Sequence, residues 1–205
     1  MRFYTSVGPN PRVVKMFMLE KGVELEQVTV NLMAGENRQD EHLKRNPAGQ
    51  MPTLELDDGS YLSEITAICE YLDEKFPGPS LIGETPEERA ATRMWTRRID
   101  LNICEPMGSG FRYGPGLPLF QSRIRTIPQA AEDFATLAQE RIAWLDGLVG
   151  GRDFIAGDKI TLADILLYCF LEFGAQVGQP VNPNNKNIVA WLERMRARPS
   201  AAGSA

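Results

Sequence analysis

Histidine is almost missing from these 205 residues: His42 is the only one. A Ser-His-Asp triad needs a histidine beside its nucleophile and a multi-imidazole zinc site needs several, so a lone histidine in charged surroundings supports neither, and no metal is expected. Cysteine is scarce too. Cys69, Cys104 and Cys169 are odd in number, far apart and each set among apolar neighbours, which argues against a disulfide framework and predicts buried thiols in a reducing compartment. No apolar run approaches the roughly 18 residues that a membrane span needs, so no membrane partner is expected. The opening MRFYTSVGPNP has no hydrophobic stretch of signal-peptide length, so a cytoplasmic location is expected. Basic surplus is absent as well: 22 Lys and Arg against 27 Asp and Glu leave a net charge of −5, with nothing over to neutralise nucleic acid.

What is present is enough apolar residue, 43%, to build ordinary cores in one large domain or two small ones. Arg2 to Ser6 reads as a strand. Asn10-Pro11 reads as a helix start, with Asn at the N-cap and Pro at the first helical position. Val13 with Phe17, and Val14 with Met18, give that helix an apolar face, which Lys21-Gly22 closes. Gln27 to Leu32 alternates as a second strand, and Ala34 to Asn46 is charged and short-helical at most. Gly49 to Leu72 then organises the first half. Thr53 to Leu56 is a strand beginning beside Pro52, Asp57-Asp58-Gly59 is a hairpin turn and not an acid/base pair, and Glu64 to Leu72 is a helix with Ile65, Ile68, Cys69 and Leu72 on one face.

Phe76-Pro77-Gly78-Pro79-Ser80 ends the strand signals, so residues 78–85 are read as a linker between a domain of residues 1–77 and one of residues 86–205. The second domain is all helical. Thr85, Pro86 and Glu88 form a capping box, followed by Met94, Trp95, Ile99 and Ile103 on an apolar face. Arg89, Arg93 and Arg97 form a solvated or dimer-facing stripe. The Gly- and Pro-rich run Met107 to Pro118 is expected to interrupt the helices, which resume over Pro128 to Gly147. In FIAGDKITLADILLYCFL, Thr161 caps a helix whose third residue is Asp164, with Ile160 placed to staple against Ile165.

Three pieces in this order, Met51-Pro52 after a loop, LSEITAI, and AGDKITLADI, resemble the cytosolic glutathione S-transferase family over nearly the whole chain. WLERMRARPS is similar to that family's last long helix. The resemblance implies an α/β thioredoxin-like N-terminal domain, an all-α C-terminal domain, a cis bond at Met51-Pro52, a homodimer, and glutathione as co-substrate. It further implies that glutathione lies extended beside the Met51 backbone, with its γ-glutamyl carboxylate at the helix start near Glu64 and Ile65. Glu64 would face the γ-glutamyl ammonium, and Gln50 the glycyl end. Where the family commonly has Glu-Ser, this chain has Glu64-Ile65. One hydrogen bond to a charged group is thereby lost, worth about 1.5–3 kcal/mol, or roughly tenfold or more in affinity.

The resemblance also asks for a donor to the glutathione sulfur near the end of the first strand. Gly8 stands at the usual serine and no cysteine precedes Cys69. Asn10, whose amide donates, matches the asparagine of nu-class and related bacterial transferases; Ser6, Thr5 and Tyr4 are the alternatives. An apolar electrophile, with or without an anionic tail, is expected between the domains. Its expected contacts are the loop after the first strand, Phe111, Arg112 and Tyr113, and the helix carrying Met94, Trp95 and Arg98. Two further readings stay open. One is glutathione-dependent disulfide reduction with two external glutathiones; the other is a non-enzymatic dimeric interaction module.

Overall fold

The computed structural model describes residues 1–205. They form two compact units, Met1–Ile82 together with Pro199–Ala205, and Gly83–Arg198.

The first unit carries a four-stranded sheet in the order β2-β1-β3-β4, built from β1 (Arg2–Thr5), β2 (Glu26–Thr29), β3 (Thr53–Glu55) and β4 (Tyr61–Ser63). β1 runs parallel to β2 and antiparallel to β3, and β3 is antiparallel to β4. The crossover between the parallel strands is α1 (Pro9–Lys21), which ends at Gly22 with φ 75°. That left-handed value lets the Val23 N–H reach the Met18 carbonyl at 2.8 Å, the helix-closing bond expected of a glycine there. At the other end the structure corrects the sequence. The helix starts at Pro9 with Gly8 as N-cap, so Asn10 lies inside the first turn and caps nothing. Pro9 is itself a good first residue, because its missing N–H would have had no partner.

Phe3 and Leu54, opposite one another across β1 and β3, are fully buried together with Val13, Phe17, Ile68 and Leu72. The last two come from α3 (Ile65–Lys75), which packs against α1. The hairpin turns at Gly59, φ 81°, and Asp58 braces it by accepting from the Ser60 N–H at 2.9 Å and hydroxyl at 2.6 Å. Lys21 does not serve the end of α1. Its ammonium is buried and donates to Asp73 and to the Pro79 carbonyl, both at 3.0 Å. Asp73 also accepts from the Leu81 N–H and the Ser80 hydroxyl, which ties the segment after α3 to this unit. His42, read from the sequence only as lying in charged surroundings, is buried on α2 (Asp40–Arg45).

In the second unit, α4 (Pro86–Ile99) begins with the Glu88 N–H on the Thr85 hydroxyl at 3.2 Å. The Glu88 carboxylate reaches the Glu84 N–H instead of that of Thr85, so only half of the expected box forms. Met94, read as part of the apolar face, is 42% exposed, and the buried residues are Thr92, Trp95, Thr96 and Ile99. α4 passes through a wider π turn, Asp100–Cys104, into α5 (Glu105–Tyr113). Pro106 explains the widening: its ring would strike the carbonyl four residues back in a regular α-helix, and it has no N–H to donate.

The run beginning at Met107 is helical through Tyr113, so the expected interruption is confined to residues 114–116, before the short α6 (Leu117–Phe120). Its glycines serve packing. A Cβ on Gly110 would lie 3.1 Å from the Ala135 nitrogen and 3.3 Å from the Ala131 oxygen of α7 (Ala131–Val149), so the two backbones meet closely where the side chain is missing. α8 (Leu162–Gln176) is the core helix, buried from Leu162 through Leu171, and α9 (Lys186–Arg196) packs Ile188, Trp191, Leu192 and Met195 inward. The short α10 (Pro199–Gly203), expected with the helical domain, groups with the first unit. Arg12 of α1 donates to the Ala201 carbonyl at 3.0 Å and to the Ser204 hydroxyl at 3.3 Å, and the Ser200 hydroxyl bonds Glu20.

Candidate functional site

One end of the sheet collects most of the residues singled out above. Tyr4 lies opposite Thr53, so the continuing register sets Ser6 across from Met51; Thr53 lies opposite Ser63, so Pro52 neighbours Glu64. The Met51-Pro52 bond is cis. Because proline cannot donate to a ladder and regular pairing begins only at Thr53, the Met51 N–H and C=O are taken by no backbone group of the chain. They offer an extended ligand a donor and an acceptor just before the start of β3, where a short added strand can pair with them.

Beside them is the start of α3. Its N-cap, Glu64, has φ 71° and ψ 126°, and is the one non-glycine residue with positive φ. Such a conformation costs about 1–3 kcal/mol and survives only where its surroundings enforce it. Glu64 gives no side-chain cap, and the first turn contains no acidic residue. The first intrahelical donor is the Ile68 N–H, to the Glu64 carbonyl at 3.0 Å. The N–H groups of Ile65, Thr66 and Ala67 thus remain for an outside acceptor, and with the helix dipole they favour a carboxylate. The Glu64 side chain is exposed beside them, and so is Gln50.

The four candidate sulfur donors are placed very differently. Tyr4 gives its hydroxyl proton to Glu55 at 2.8 Å and lies with its ring under the Arg45 guanidinium, 4.6 Å away. Burial, then the bond to Glu55, holds that hydroxyl above its ordinary pKa. Ser6 donates to the Val30 carbonyl at 2.6 Å, which commits its one proton. The Thr5 hydroxyl is buried and has no hydrogen-bond partner. Asn10 is half-buried in the first turn of α1, and its amide is needed for no cap.

The residues expected around an electrophile divide within the helical unit. Phe111 sits edge-on to Phe120 and Phe173, with ring centroids 6.0 and 5.1 Å away, while Tyr113 faces Phe134 at 5.8 Å. Arg112, next to both, is neutralised by Glu105 and also donates to Ser109 at 3.0 Å. Trp95 is buried elsewhere on α4, with the guanidinium carbons of Arg98 and Arg152 at 4.9 and 5.1 Å from its ring.

Sequence reasoning missed how the segment before Met51 is held. Asn37, His42 and Asn46 are all buried, and each points a nitrogen at a backbone carbonyl of that segment. Asn37 reaches Gly49 at 2.6 Å; Asn46 and His42 both reach Gln50, at 2.9 and 3.3 Å. Only Asn46-Pro47 carried a sequence signal, that of an Asx turn, and the Asn46 oxygen does accept from the Ala48 N–H at 3.1 Å. No three His, Cys, Asp or Glu side chains are grouped to hold a metal ion. No helix is long and apolar enough to cross a membrane.

Residues 1–74 match the family description "Glutathione S-transferase, N-terminal domain", and residues 127–199 match "Glutathione S-transferase, C-terminal domain". Glutathione S-transferase 2 of Saccharomyces cerevisiae is 33% identical over 203 residues, spanning 96% of this chain and 85% of that protein. Among solved structures, Gtt2 from Saccharomyces cerevisiae superposes with a TM-score of 0.93 at 32% identity, covering 100% of both chains. A glutathione S-transferase domain-containing protein from Marinobacter aquaeolei superposes with a TM-score of 0.90 at 34% identity, covering 98% of this chain and 100% of that one.

Proposed function

The chain belongs to the glutathione S-transferase family, and from that membership we propose that it binds glutathione along the Met51 backbone, stabilises its thiolate with Asn10 and transfers the sulfur to an electrophilic small molecule. The observation that carries this reading is the pairing of an unclaimed Met51 N–H and C=O with an uncapped α3 start next to them. The peptide adds as a short antiparallel strand. Its γ-glutamyl carboxylate accepts from the first N–H groups of α3, and Glu64 takes the ammonium. Ile65 contributes its N–H without a hydroxyl. Gln50, exposed on the other side, reaches the glycyl end.

A free thiol titrates near pH 8.5, so a fall of about two units leaves it mostly ionised at neutral pH. One amide donor to the sulfur supplies about 1.5–3 kcal/mol and the N-terminus of α1 another 0.3–1, together enough for that shift. What supports Asn10 as the donor is that Tyr4 and Ser6 have spent their protons and the Thr5 hydroxyl is buried. The thiolate then forms a carbon–sulfur bond as the leaving group departs with its electron pair. Positioning and the lowered thiol pKa do most of the work. Phe111 and Tyr113 are assigned to the electrophile's apolar body. Arg98, over Trp95, is assigned to an anionic tail, since Arg112 is neutralised by Glu105. A homodimer in the cytoplasm, where reduced glutathione is available, belongs to the same reading.

Calorimetric titration with glutathione, run beside glutathione disulfide and repeated on Asn10→Ala, tests it. Binding in the micromolar to millimolar range is expected, with an ultraviolet thiolate band that disappears in the variant. Disulfide turnover without conjugation of a chloronitrobenzene would reassign the chemistry to reduction, and no heat with either ligand would leave only a scaffold.

A further inference from the structure

We propose that His42 is a positioning residue for glutathione: with Asn46 it holds the Gln50 carbonyl inward, which turns the Met51 N–H toward the ligand. The inference rests on the binding mode given above for Met51.

The only cis bond in the chain is Met51-Pro52, so the Gln50–Met51 peptide is trans and its C=O and N–H point in opposite directions. Whatever fixes the carbonyl therefore aims the amide. The Gln50 oxygen accepts from Asn46 Nδ2 at 2.9 Å and faces His42 Nε2 at 3.3 Å, so both of its lone pairs are used from the α2 side. A carbonyl can only accept, so the histidine proton is on Nε2. The preceding carbonyl, that of Gly49, is held by Asn37 at 2.6 Å. Gly49 itself has φ 61°, and a Cβ there would lie 3.0 Å from the Asn37 oxygen, so the chain enters Gln50 along one path.

The other ring nitrogen argues that this contact is what the imidazole is for. His42 is buried, and its Nδ1 has no partner at all. An apolar side chain would fill the same space without an unpartnered nitrogen; what it could not supply is the Nε2–H. The two ring nitrogens can be separated by substitution. The amide of His42→Gln reaches the position of Nε2, and that of His42→Asn reaches only the position of Nδ1.

Steady-state kinetics with varied glutathione, together with direct glutathione titration, on wild type, His42→Gln and His42→Asn would decide the matter. His42→Asn should raise the glutathione KM and Kd about five- to tenfold and leave kcat at saturating glutathione within twofold, while His42→Gln restores both constants to within twofold of wild type. Equal glutathione affinity in a folded His42→Asn, or equal loss in both variants, would overturn the positioning role. If His42→Asn does not fold, the Met51 amide is followed by nitrogen-15 NMR in His42→Gln. A glutathione-induced shift like that of wild type supports the proposal, and its absence overturns it. Failure of wild type to bind glutathione is a different result, and would remove the binding mode on which the inference stands.

Discussion

The indole Nε1–H of Trp191 on α9 donates to Asp164 Oδ1 at 3.0 Å, inside the helical unit and across 27 residues of chain. Asp164 is wholly buried and accepts three more bonds: the Ile155 N–H at 2.8 Å, the Thr161 N–H at 2.9 Å and the Thr161 hydroxyl at 3.0 Å. One carboxyl group thus joins the loop before α8, the start of α8 and the middle of α9.

Trp191→Phe keeps an aromatic ring and removes the donor. A hydrogen bond to a charged group is worth about 1.5–3 kcal/mol, so the variant should lose that much stability and several degrees in Tm. Urea denaturation measures it; an unchanged midpoint would mean that Trp191 contributes through packing alone.

Asp164 also sets a pH dependence. Burial penalises its charged form, outweighing the donors around it, so its carboxyl titrates above the ordinary value of 3.8. Between the ordinary and the raised value, the folded chain holds a proton that the unfolded chain has released. The corresponding stability is complete below the ordinary value and is lost as pH rises through the raised one. The stability of wild type relative to Asp164→Asn should therefore grow as pH falls from 7 toward 4. A difference that stays flat, or moves the other way, would contradict the raised value.

In the first unit, Lys21→Met strands a buried carboxylate. Asp73 would keep Leu81 N–H and Ser80 as donors but lose its only cation within salt-bridge distance. Breaking a buried pair from one side costs about 3–5 kcal/mol, and replacing both partners with apolar residues is much milder. The expected order in thermal denaturation is wild type, then Lys21→Met/Asp73→Leu, then Lys21→Met as the least stable.

Two glycines should answer alanine in opposite directions. Gly110→Ala gains about 1 kcal/mol of helix propensity but drives a methyl into the backbone of α7, where overpacking costs about 1–3 kcal/mol, so a net loss is expected. Gly147 lies within α7 with nothing within 4 Å of an added Cβ, and Gly147→Ala should stabilise by about 0.5–1 kcal/mol. Chemical denaturation of the two variants side by side checks both signs.

The order of elements, the hairpin at Asp57 to Gly59, the α1 terminus at Gly22, and the bond from the Thr161 N–H to Asp164 were all legible in the sequence. Each depends on residues no more than a few positions apart, where backbone geometry alone decides who meets whom. Glutathione-family membership was legible for a similar reason, since its motifs lie in short segments. Where competing local signals were close in strength, the sequence misled. Pro9 and Pro11 both suit a helix start, and only the structure chose Pro9, which released Asn10 from capping. Gly110 reads as a breaker until Ala131 and Ala135 arrive beside it. The remainder needed the fold, because its partners are distant in sequence or carry no pattern: Trp191 on Asp164, Lys21 on Asp73, the spent protons of Tyr4 and Ser6, and the hold of His42 on Gln50. Periodicity says which face of an element is apolar. Which buried polar group meets which is settled only when packing removes water and leaves each donor the acceptors within reach.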